Sequence, residues 1–275
     1  MKILHVSDLH SHPAWFAWLA RVAAGYDLVC ITGDLLDGGQ PDAIFDQMRE
    51  ISAAISRIST PIAICSGNHD MVHAKGDDPA ALWVRDLVRP GVWADGDHFE
   101  LFQRKFYCHP WIGPIPGASA GDIWIIHSPP EGSATSRSRG GDFDQGDFEF
   151  AELCKAGRGP MIALCGHVHE PRGWHATVGR TLIINPGCSR DPAVPAHVIL
   201  DLAARTATRH LPGHATETIR LPDPTAGQVL KNRTVAEVET LLATTVSNQR
   251  AEGFRMTPEE IEETRRRLMR LLYEQ

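Results

Sequence analysis

Two histidines, His167 and His169, stand two residues apart immediately after the apolar run 161–165. In an extended chain the side chains of residues i and i+2 point to the same side. Both imidazoles can therefore reach one point beyond the end of a strand, where imidazole nitrogen is a common ligand of divalent transition metals. The pair can serve one ion or two adjacent ions, although histidines at this spacing in a turn are about as often plain surface residues.

Four other clusters of acid, amide or imidazole side chains follow apolar runs in the same way. Together with the first pair they supply two carboxylates, four imidazoles and one amide, from Asp8, His10, Asp34, Asn68, His127, His167 and His169. A pair of divalent ions needs about this many N and O donors, with a carboxylate bridging ions roughly 3.5–4 Å apart. Asp and Asn also cap helices and form turns, but that explanation would have to hold separately for each residue.

The charge of such a site favours an anionic substrate. Two carboxylates leave two dications with a net positive charge, even with a hydroxide bridging them, so a phosphate ester is the expected guest. Its oxygens can bind both ions while the hydroxide, formed near neutral pH by metal coordination, attacks phosphorus in line. The neutral amide of Asn68 fits this chemistry, because a further acidic ligand would cancel the charge that the substrate needs.

The elements that must position these residues follow an α/β pattern. The chain has 275 residues, of which 43% are hydrophobic, enough to bury a large core. Apolar runs at 2–6, 28–32 and 61–65 predict strands, and helical spacing of apolar residues predicts helices at 13–24 and 42–58. In a parallel sheet of this kind ligands bind beyond the carboxyl ends of the strands, which is where the first three clusters lie.

The second half of the chain predicts another sheet. Short antiparallel strands with a tight turn at Asp95-Gly96-Asp97 are predicted within 91–108, and the polar, glycine-rich segment 133–146 is predicted to be a mobile loop beside His127. Later strands are predicted at 122–126, 161–164, 173–178, 181–184 and 196–202, the last three in the second sheet, and helices at 79–88 and 147–155. The predicted fold is α/β, with two facing mixed β-sheets flanked by helices in a four-layer αββα sandwich.

The composition shifts at residue 222. Capping boxes that begin at Thr234 and Thr257 predict helices at about 235–246 and 258–273. We therefore predict one domain over 1–221 and a helical C-terminal extension over 222–275. The amphipathic last helix is expected to pack on its own domain, with a homodimer contact as the alternative.

Charge and cysteine usage exclude several classes of protein. The net charge is −7 and no block of Lys and Arg is present, which argues against stable binding of duplex nucleic acid. The six cysteines are scattered without a C-x-x-C motif, as expected for buried free thiols in a reducing compartment. No signal peptide and no membrane-spanning run is visible, so the expected location is cytoplasmic and no membrane partner is expected.

The order of the motifs resembles the calcineurin-like metallophosphoesterase family over about residues 1–200. The matching motifs are Asp8-Leu9-His10, Gly33-Asp34, Gly67-Asn68-His69-Asp70, His127 and Gly166-His167-Val168-His169. The family's fourth motif usually reads Gly-His, whereas here Ile126 precedes His127 and Ser128-Pro129-Pro130 follows it. This form is similar to the His-Gly-Pro-Pro motif of a small phosphodiesterase-like branch.

The resemblance implies a role for each motif residue. One metal ion would take Asp8, His10, Asp34 and His169, and the other Asp34, Asn68, His127 and His167, with Asp34 as the bridge. His69 resembles the family's non-ligand histidine, which donates a proton to the leaving oxygen, and Asp70 would orient it. Mn, Fe or Zn would suit these mixed N and O donors.

The expected function is therefore a dinuclear metal-dependent phosphoesterase that acts on phosphodiesters, cyclic nucleotides among them, in preference to phosphomonoesters. The substrate is expected to be a small phosphate ester, and the candidate substrate-binding residues are Asn68, His69, His109 and Arg172. For Arg172, plain solvent exposure is the alternative. The alternatives for the whole chain are a phosphomonoesterase, a nuclease of the same family, or a scaffold without catalysis. The lack of a basic stretch argues against the nuclease, and the intact His69 and ligand set argue against the scaffold.

Overall fold

The computed structural model describes residues 1–72, 81–116, 121–141 and 143–222, together with positions 243, 257, 258, 261 and 262. The chain divides into two units, Met1–Leu221 and Pro222–Gln275. Apart from those five positions, the predicted helices at 235–246 and 258–273 lie outside the described residues. The helical extension and its packing stay predictions.

Four helices and thirteen strands are described in the first unit. The helices are α1 Pro13–Val22, α2 Ile44–Ser56, α3 Leu82–Arg85 and α4 Phe148–Lys155. The strands are β1 Lys2–Val6, β2 Leu28–Thr32, β3 Ile62–Cys65, β4 Val92–Trp93, β5 His98–Leu101, β6 Arg104–Cys108, β7 Ile123–Ile125, β8 Ile162–Leu164, β9 His175–Val178, β10 Thr181–Ile184, β11 His197–Asp201, β12 Thr206–His210 and β13 Glu217–Arg220. Most of the predicted elements form, with ends shifted by a few residues; the predicted helix 79–88 is shortened to α3, and its first two positions lie outside the described residues.

Two mixed sheets organise the strands. The first sheet has the order β13-β12-β11-β1-β2-β3-β4, with β1 to β4 parallel and β11 antiparallel to β1. The second has the order β5-β6-β7-β8-β10-β9, with a parallel centre and antiparallel edges. Because neighbouring strands at the centre of each sheet run parallel, their carboxyl ends meet at one edge of that sheet. The predicted α/β fold with two facing mixed sheets is confirmed.

The core shows why the sheets face each other. In β1, Ile3 packs between the two sheets while Leu4 packs under the helices α1 and α2, as the alternation of side chains along a strand requires. A third apolar cluster joins α4, through Phe150 and Leu153, to the outer side of the second sheet around Trp124. Apolar residues thus fill all three interfaces of an αββα sandwich.

Two strand assignments from sequence are wrong. Within 91–108 only β5 and β6 are antiparallel, because β4 pairs parallel with β3 in the first sheet, and the turn 95–97 carries the chain from one sheet to the other. Strand β11 was predicted in the second sheet but pairs with β1, which places Val198 and Leu200 beside Ile3 between the sheets. An apolar run shows that a strand is buried but does not say which neighbour it pairs with.

Two further features differ from expectation. Strands β12 and β13 were not predicted, since their polar, partly exposed residues carry little strand signal. Segment 133–146, predicted to be a mobile loop, makes hydrogen bonds within itself and to residue 171 over its described residues. Ser133 and Ser136 are buried and hydrogen-bonded to each other, and Ser138 pairs with Pro171 in a β-bridge.

The described residues also bear on the cysteines and on membrane insertion. All six cysteines are free, and Cys30, Cys65 and Cys165 are fully buried as predicted. Within the described part of the chain, no helix has the length and apolarity needed to cross a membrane.

We predict that His5 makes the folded chain sensitive to acid. The ring is fully buried in β1, its Nε2 atom lies 2.9 Å from Thr32 Oγ1, and burial lowers the pKa of His5 to about 3. The unfolded chain takes up a proton near pH 6.5 that the folded chain does not bind until about pH 3, so stability is lost as the pH falls through this window. Urea unfolding from pH 7 to pH 4 should show this loss, with a slope contribution of up to about 1.4 kcal/mol per pH unit.

The matched variants are His5→Leu and His214→Leu, the latter at an exposed position. His5→Leu should flatten the pH dependence, while Thr32 Oγ1 keeps its hydrogen bond to Val6 O at 3.4 Å. His214→Leu should leave the pH dependence unchanged. Equal slopes in wild type and His5→Leu would contradict the prediction.

Candidate metal centre

The seven predicted ligands lie together at the carboxyl ends of strands from both sheets. Loops after β1, β2 and β3 carry Asp8, His10, Asp34 and Asn68, and loops after β7 and β8 carry His127, His167 and His169. The ligand atoms form two groups, and within each group all of them lie within 4.8 Å of one another. One group consists of Asp8, His10, Asp34 and His169, and the other of Asp34, His127 and His167. Asp34 belongs to both groups. His167 and His169 belong to different groups.

The first group is held at short distances. His169 Nε2 lies 3.0 Å from His10 Nε2 and 3.6 Å from Asp8 Oδ1. His10 Nε2 lies 4.0 Å from Asp34 Oδ2. Carboxylate oxygens and imidazole nitrogens therefore face one common point.

The second group includes the amide. His127 Nε2 lies 3.4 Å from Asp34 Oδ1 and 3.2 Å from Asn68 Oδ1. His167 Nδ1 lies 2.8 Å from the same Asn68 oxygen. The oxygen of Asn68 thus sits between two imidazoles, as a neutral donor of the second group would.

Backbone carbonyls fix the orientation of two of these rings. His127 Nδ1 lies 2.7 Å from Thr32 O, and His10 Nδ1 lies 3.2 Å from Leu36 O. A carbonyl can only accept, so each Nδ1 carries a proton, and in the neutral ring, the form that binds a metal, each Nε2 presents its lone pair to the site. Rings held in this way need no reorientation to bind a metal.

The local backbone is unusual at the same residues. Asp8, His10, Asp34 and His167 have φ values of 53°, 41°, 51° and 68°. Such conformations cost on the order of 1–3 kcal/mol each outside glycine and are concentrated at functional sites. These backbone conformations direct the four side chains towards the site. The sequence does not reveal them.

Glycines allow the loops to approach each other. A side chain at Gly67 would collide with Asp34, and one at Gly166 would collide with Ser7 and lie 2.8 Å from Asp8 Oδ2. The glycines before Asn68 and His167 are therefore required by close packing of the loops around the carboxylates.

An unpartnered atom supports the assignment to metal. Asp8 is fully buried, and its Oδ2 atom has no hydrogen-bond partner. Burial works against a charged His127, yet the two carboxylates, Asp34 first, raise the pKa of its ring to about 9. A buried carboxylate oxygen without a partner is energetically costly. The two carboxylates also stabilise positive charge in the site, as the raised pKa of His127 indicates. The donor set therefore fits divalent cations.

His69 lies at the centre without belonging to either group. Its Nδ1 accepts a hydrogen bond of 3.2 Å from Gly38 N, so its Nε2 carries the proton of the neutral ring. That Nε2 lies 3.9 Å from Asp34 Oδ2. The predicted proton donor thus presents its N–H towards the shared carboxylate, and Gly38 is a positioning residue that sequence reasoning missed.

Asp70 does not orient the His69 ring, contrary to expectation. Its Oδ1 accepts from Leu35 N at 2.9 Å and Leu36 N at 3.0 Å, and its Oδ2 accepts from Gly67 N at 2.8 Å. All three donors are backbone amides, so the carboxylate ties the loop of Asp34 to the loop of His69. Asp70 acts on the site through the backbone.

The remaining candidate residues lie elsewhere. Arg172 is exposed and donates to Ser138 O at 3.3 Å and Gly141 O at 2.9 Å, so its guanidinium holds the segment 138–141. Its expected phosphate contact stays a prediction. His109 is buried in the wall of a neighbouring cavity.

An open cavity of ≈ 430 Å³ lies over the centre. Its floor contains Asp34, Asn68, His69, His167 and His169, and its wall contains Ser138, Gly140, Gln145 and Glu170. Sequence reasoning missed the wall residues, most of which belong to the segment predicted to be mobile. The polar composition of that segment and its closeness to His127 in sequence were the available signal.

Comparison with known proteins decides the family. Residues 1–171 match the family described as calcineurin-like phosphoesterase. The chain belongs to the calcineurin-like phosphoesterase family. Membership supports phosphoester hydrolysis, and members of this family typically depend on two metal ions. A comparison with curated proteins finds no match.

Solved structures share the fold of this calcineurin-like phosphoesterase. A purple acid phosphatase from yellow lupin (Lupinus luteus) seeds aligns with a TM-score of 0.51 at 12% identity, covering 80% of this chain and 53% of its own. Another structure aligns with a TM-score of 0.57 at 13% identity, covering 80% of this chain and 99% of its own. An archaeal phosphodiesterase aligns with a TM-score of 0.43 at 18% identity, covering 80% and 100%. At these identities the first two likenesses concern the fold alone, and no argument rests on the third.

We predict that replacing His167 or His169 by Ala weakens two different metal sites. Each substitution removes a donor from one group and leaves the other group intact. Elemental analysis after equilibration with excess Mn²⁺ and removal of unbound ions should find about two ions per chain in the wild type and about one in each variant. His175→Ala, at an exposed position of β9, is the control and should keep both ions. Loss of both ions in either single variant would show that the two groups are not independent.

Proposed function

We propose that this calcineurin-like phosphoesterase is a dinuclear metal-dependent phosphodiesterase. One observation carries the proposal: two groups of donors share the Asp34 carboxylate, and the N–H of His69 points to the same carboxylate. A shared carboxylate suits two adjacent ions, and a neighbouring N–H suits proton delivery to a leaving group.

The chain's own residues define what each ion would contact. Asp8, His10, Asp34 and His169 would hold one ion, and Asp34, Asn68, His127 and His167 would hold the other. When bound, two such ions supply a nucleophile at neutral pH and offset the charge of phosphoryl oxygens. Mixed N and O donors fit Mn, Fe or Zn.

His69 supplies the proton in this proposal. Its ring is partly exposed to the cavity, and the Gly38 amide holds Nδ1 as an acceptor, so Nε2 remains the donor. As the ester bond to phosphorus breaks, the Nε2–H of the neutral ring stabilises the leaving oxygen by a hydrogen bond. Complete transfer of a proton requires the imidazolium form, in which Nδ1 is protonated and no longer accepts from Gly38 N.

The charge of the cavity wall favours a diester. Among the described residues that line the cavity there is no Lys or Arg, and the wall carries the carboxylate of Glu170. Arg190 pairs with that carboxylate, and Arg172 is engaged by backbone carbonyls. A phosphodiester carries one negative charge where a monoester carries up to two, so it requires less cationic support from the protein.

We predict that His69→Ala lowers turnover by about 10²–10⁴-fold while metal content stays at the wild-type level. Metal content is preserved because the contact of His69 with Asp34 Oδ1, at 2.8 Å, comes from its backbone amide. The loss in kcat should be larger for a diester with a phenol leaving group than for one with 4-nitrophenol, which leaves without much help. An equal loss for both leaving groups would argue for a binding role, and unchanged turnover would remove His69 from the mechanism.

We also predict a preference for diesters. After chelation and reloading with Mn²⁺, Fe²⁺ or Zn²⁺, kcat/KM for bis(4-nitrophenyl) phosphate should exceed that for 4-nitrophenyl phosphate, by about tenfold if one extra charge costs about 1.4 kcal/mol. Cyclic nucleotides and single-stranded DNA complete the panel. A preference for the monoester would assign a phosphomonoesterase, and no hydrolysis with any metal would leave a metal-binding scaffold.

A further inference from the structure

A second cavity, of ≈ 190 Å³, opens beside the metal centre and has no part in the proposed reaction. Its walls come from three segments, at 109–115, 126–128 and 145–147. Two residues lie between it and the centre: His127 belongs to the second donor group, and Gln145 lines both cavities. The second cavity is therefore a direct neighbour of the space in which a molecule at the metal centre would lie.

The loop that contains Trp111 supplies an aromatic wall. The centroid of the Trp111 ring lies 5.5 Å from that of His127 and 5.4 Å from that of His167. The loop is tied to the end of β3, because Trp111 N donates to Ser66 Oγ at 2.9 Å and Ser66 N donates to Asp95 Oδ1 at 2.7 Å. Hydrogen bonds thus hold this wall in place in the absence of any ligand.

His109 gives the cavity a polar point. Its ring is 4% exposed, and its Nε2 atom is one of five buried side-chain N or O atoms without a partner in the described part of the chain. Other polar groups of the wall are engaged: Ser128 Oγ donates to Gln145 O at 3.3 Å, and Asp147 Oδ1 accepts from Phe150 N at 2.7 Å. A ligand's polar group, or a water, would satisfy this buried nitrogen once the His109 ring turns to present it to the cavity.

The volume and the lining residues of this cavity indicate which chemical group would fit in it. At about 30 Å³ for each water, the cavity holds about six water molecules, which is the bulk of a single ring. Ile115 and Ile126 add apolar surface to the aromatic wall. A flat ring can stack or pack on Trp111 while its edge faces His109.

We propose that this cavity is the subsite for a planar ring, aryl or nucleobase, in an organic group esterified to the phosphate. The inference rests on the proposed function, since it assigns one ester group of the same substrate. Trp111 and Ile115 select the flat apolar faces, and His109 Nε2 bonds a polar group on the ring's edge. Substrates without a ring bind at the metal centre alone.

The test compares phenylphosphonate with methylphosphonate, which carry the same charged group and cannot be hydrolysed as esters. Titration calorimetry on the Mn²⁺-loaded full chain should give a Kd at least about tenfold lower for phenylphosphonate, in line with the energy of one stacked ring. Ile115→Trp, which fills the cavity, should bring the ratio of the two constants close to one. Trp111→Leu, which removes the aromatic wall, should also bring this ratio close to one. It replaces Ile115→Trp as the test if that variant does not fold.

The matched control is Ile112→Trp, the same substitution on the same loop at a residue that is 60% exposed and does not line the cavity. It should keep the wild-type ratio. A ratio near one in the wild type would mean that the cavity holds water only, and a ratio that survives Ile115→Trp and Trp111→Leu, or that is lost in Ile112→Trp, would place ring binding elsewhere. Each of these results overturns the proposal.

Turnover of bis(4-nitrophenyl) phosphate, measured in parallel, separates the two hypotheses. Hydrolysis with no selective binding of phenylphosphonate keeps the proposed function and removes the subsite. Selective binding with no hydrolysis under any metal keeps a ring-binding cavity beside a metal centre and removes the phosphodiesterase.

Discussion

Two buried carboxylates facing four imidazoles are the constraint on which this structure depends. Asp8 and Asp34 are almost completely removed from solvent, and such burial disfavours their charged form. The fold keeps them charged by surrounding them with imidazole nitrogens and backbone amides. His167 N donates to Asp8 Oδ1 at 3.1 Å, and His69 N donates to Asp34 Oδ1 at 2.8 Å. The carboxylate oxygens and imidazole nitrogens of these side chains converge on two positions that could hold cations.

The architecture serves this constraint by joining two sheets at one edge. Parallel strands of the first sheet deliver both carboxylates, and parallel strands of the second sheet deliver His127, His167 and His169. Neither sheet alone supplies a complete donor group, because each group takes residues from both. The apolar cluster between the sheets is therefore also what sets the distances in the metal centre.

Around the centre, connecting segments provide the surfaces that a substrate meets. The segment 133–141 is tied to 170–172 by backbone pairing and by the guanidinium of Arg172, so the wall over the metal centre is held by main-chain contacts. The loop 109–115 is held by Ser66 on the other side. Rigid loops on a rigid scaffold are a common way to fix binding groups. The proposed binding of the ester group therefore falls to loops, and the proposed chemistry to residues at the strand ends.

The sequence by itself determined the alternation of elements, the α/β class and the seven residues that converge on the centre. Short apolar runs ended by Asp, Asn or His carry this information, because strand ends in parallel sheets meet at one edge. Period and burial do not encode which strands pair, so β4 and β11 were assigned to the wrong neighbours. Only the tertiary structure decided that Asp70 binds backbone amides, that Arg172 holds a loop, and that His109 faces a separate cavity. These roles depend on groups distant in sequence, such as Gly38 with His69 and Gly141 with Arg172, whose contact exists only after the strands that precede them have paired.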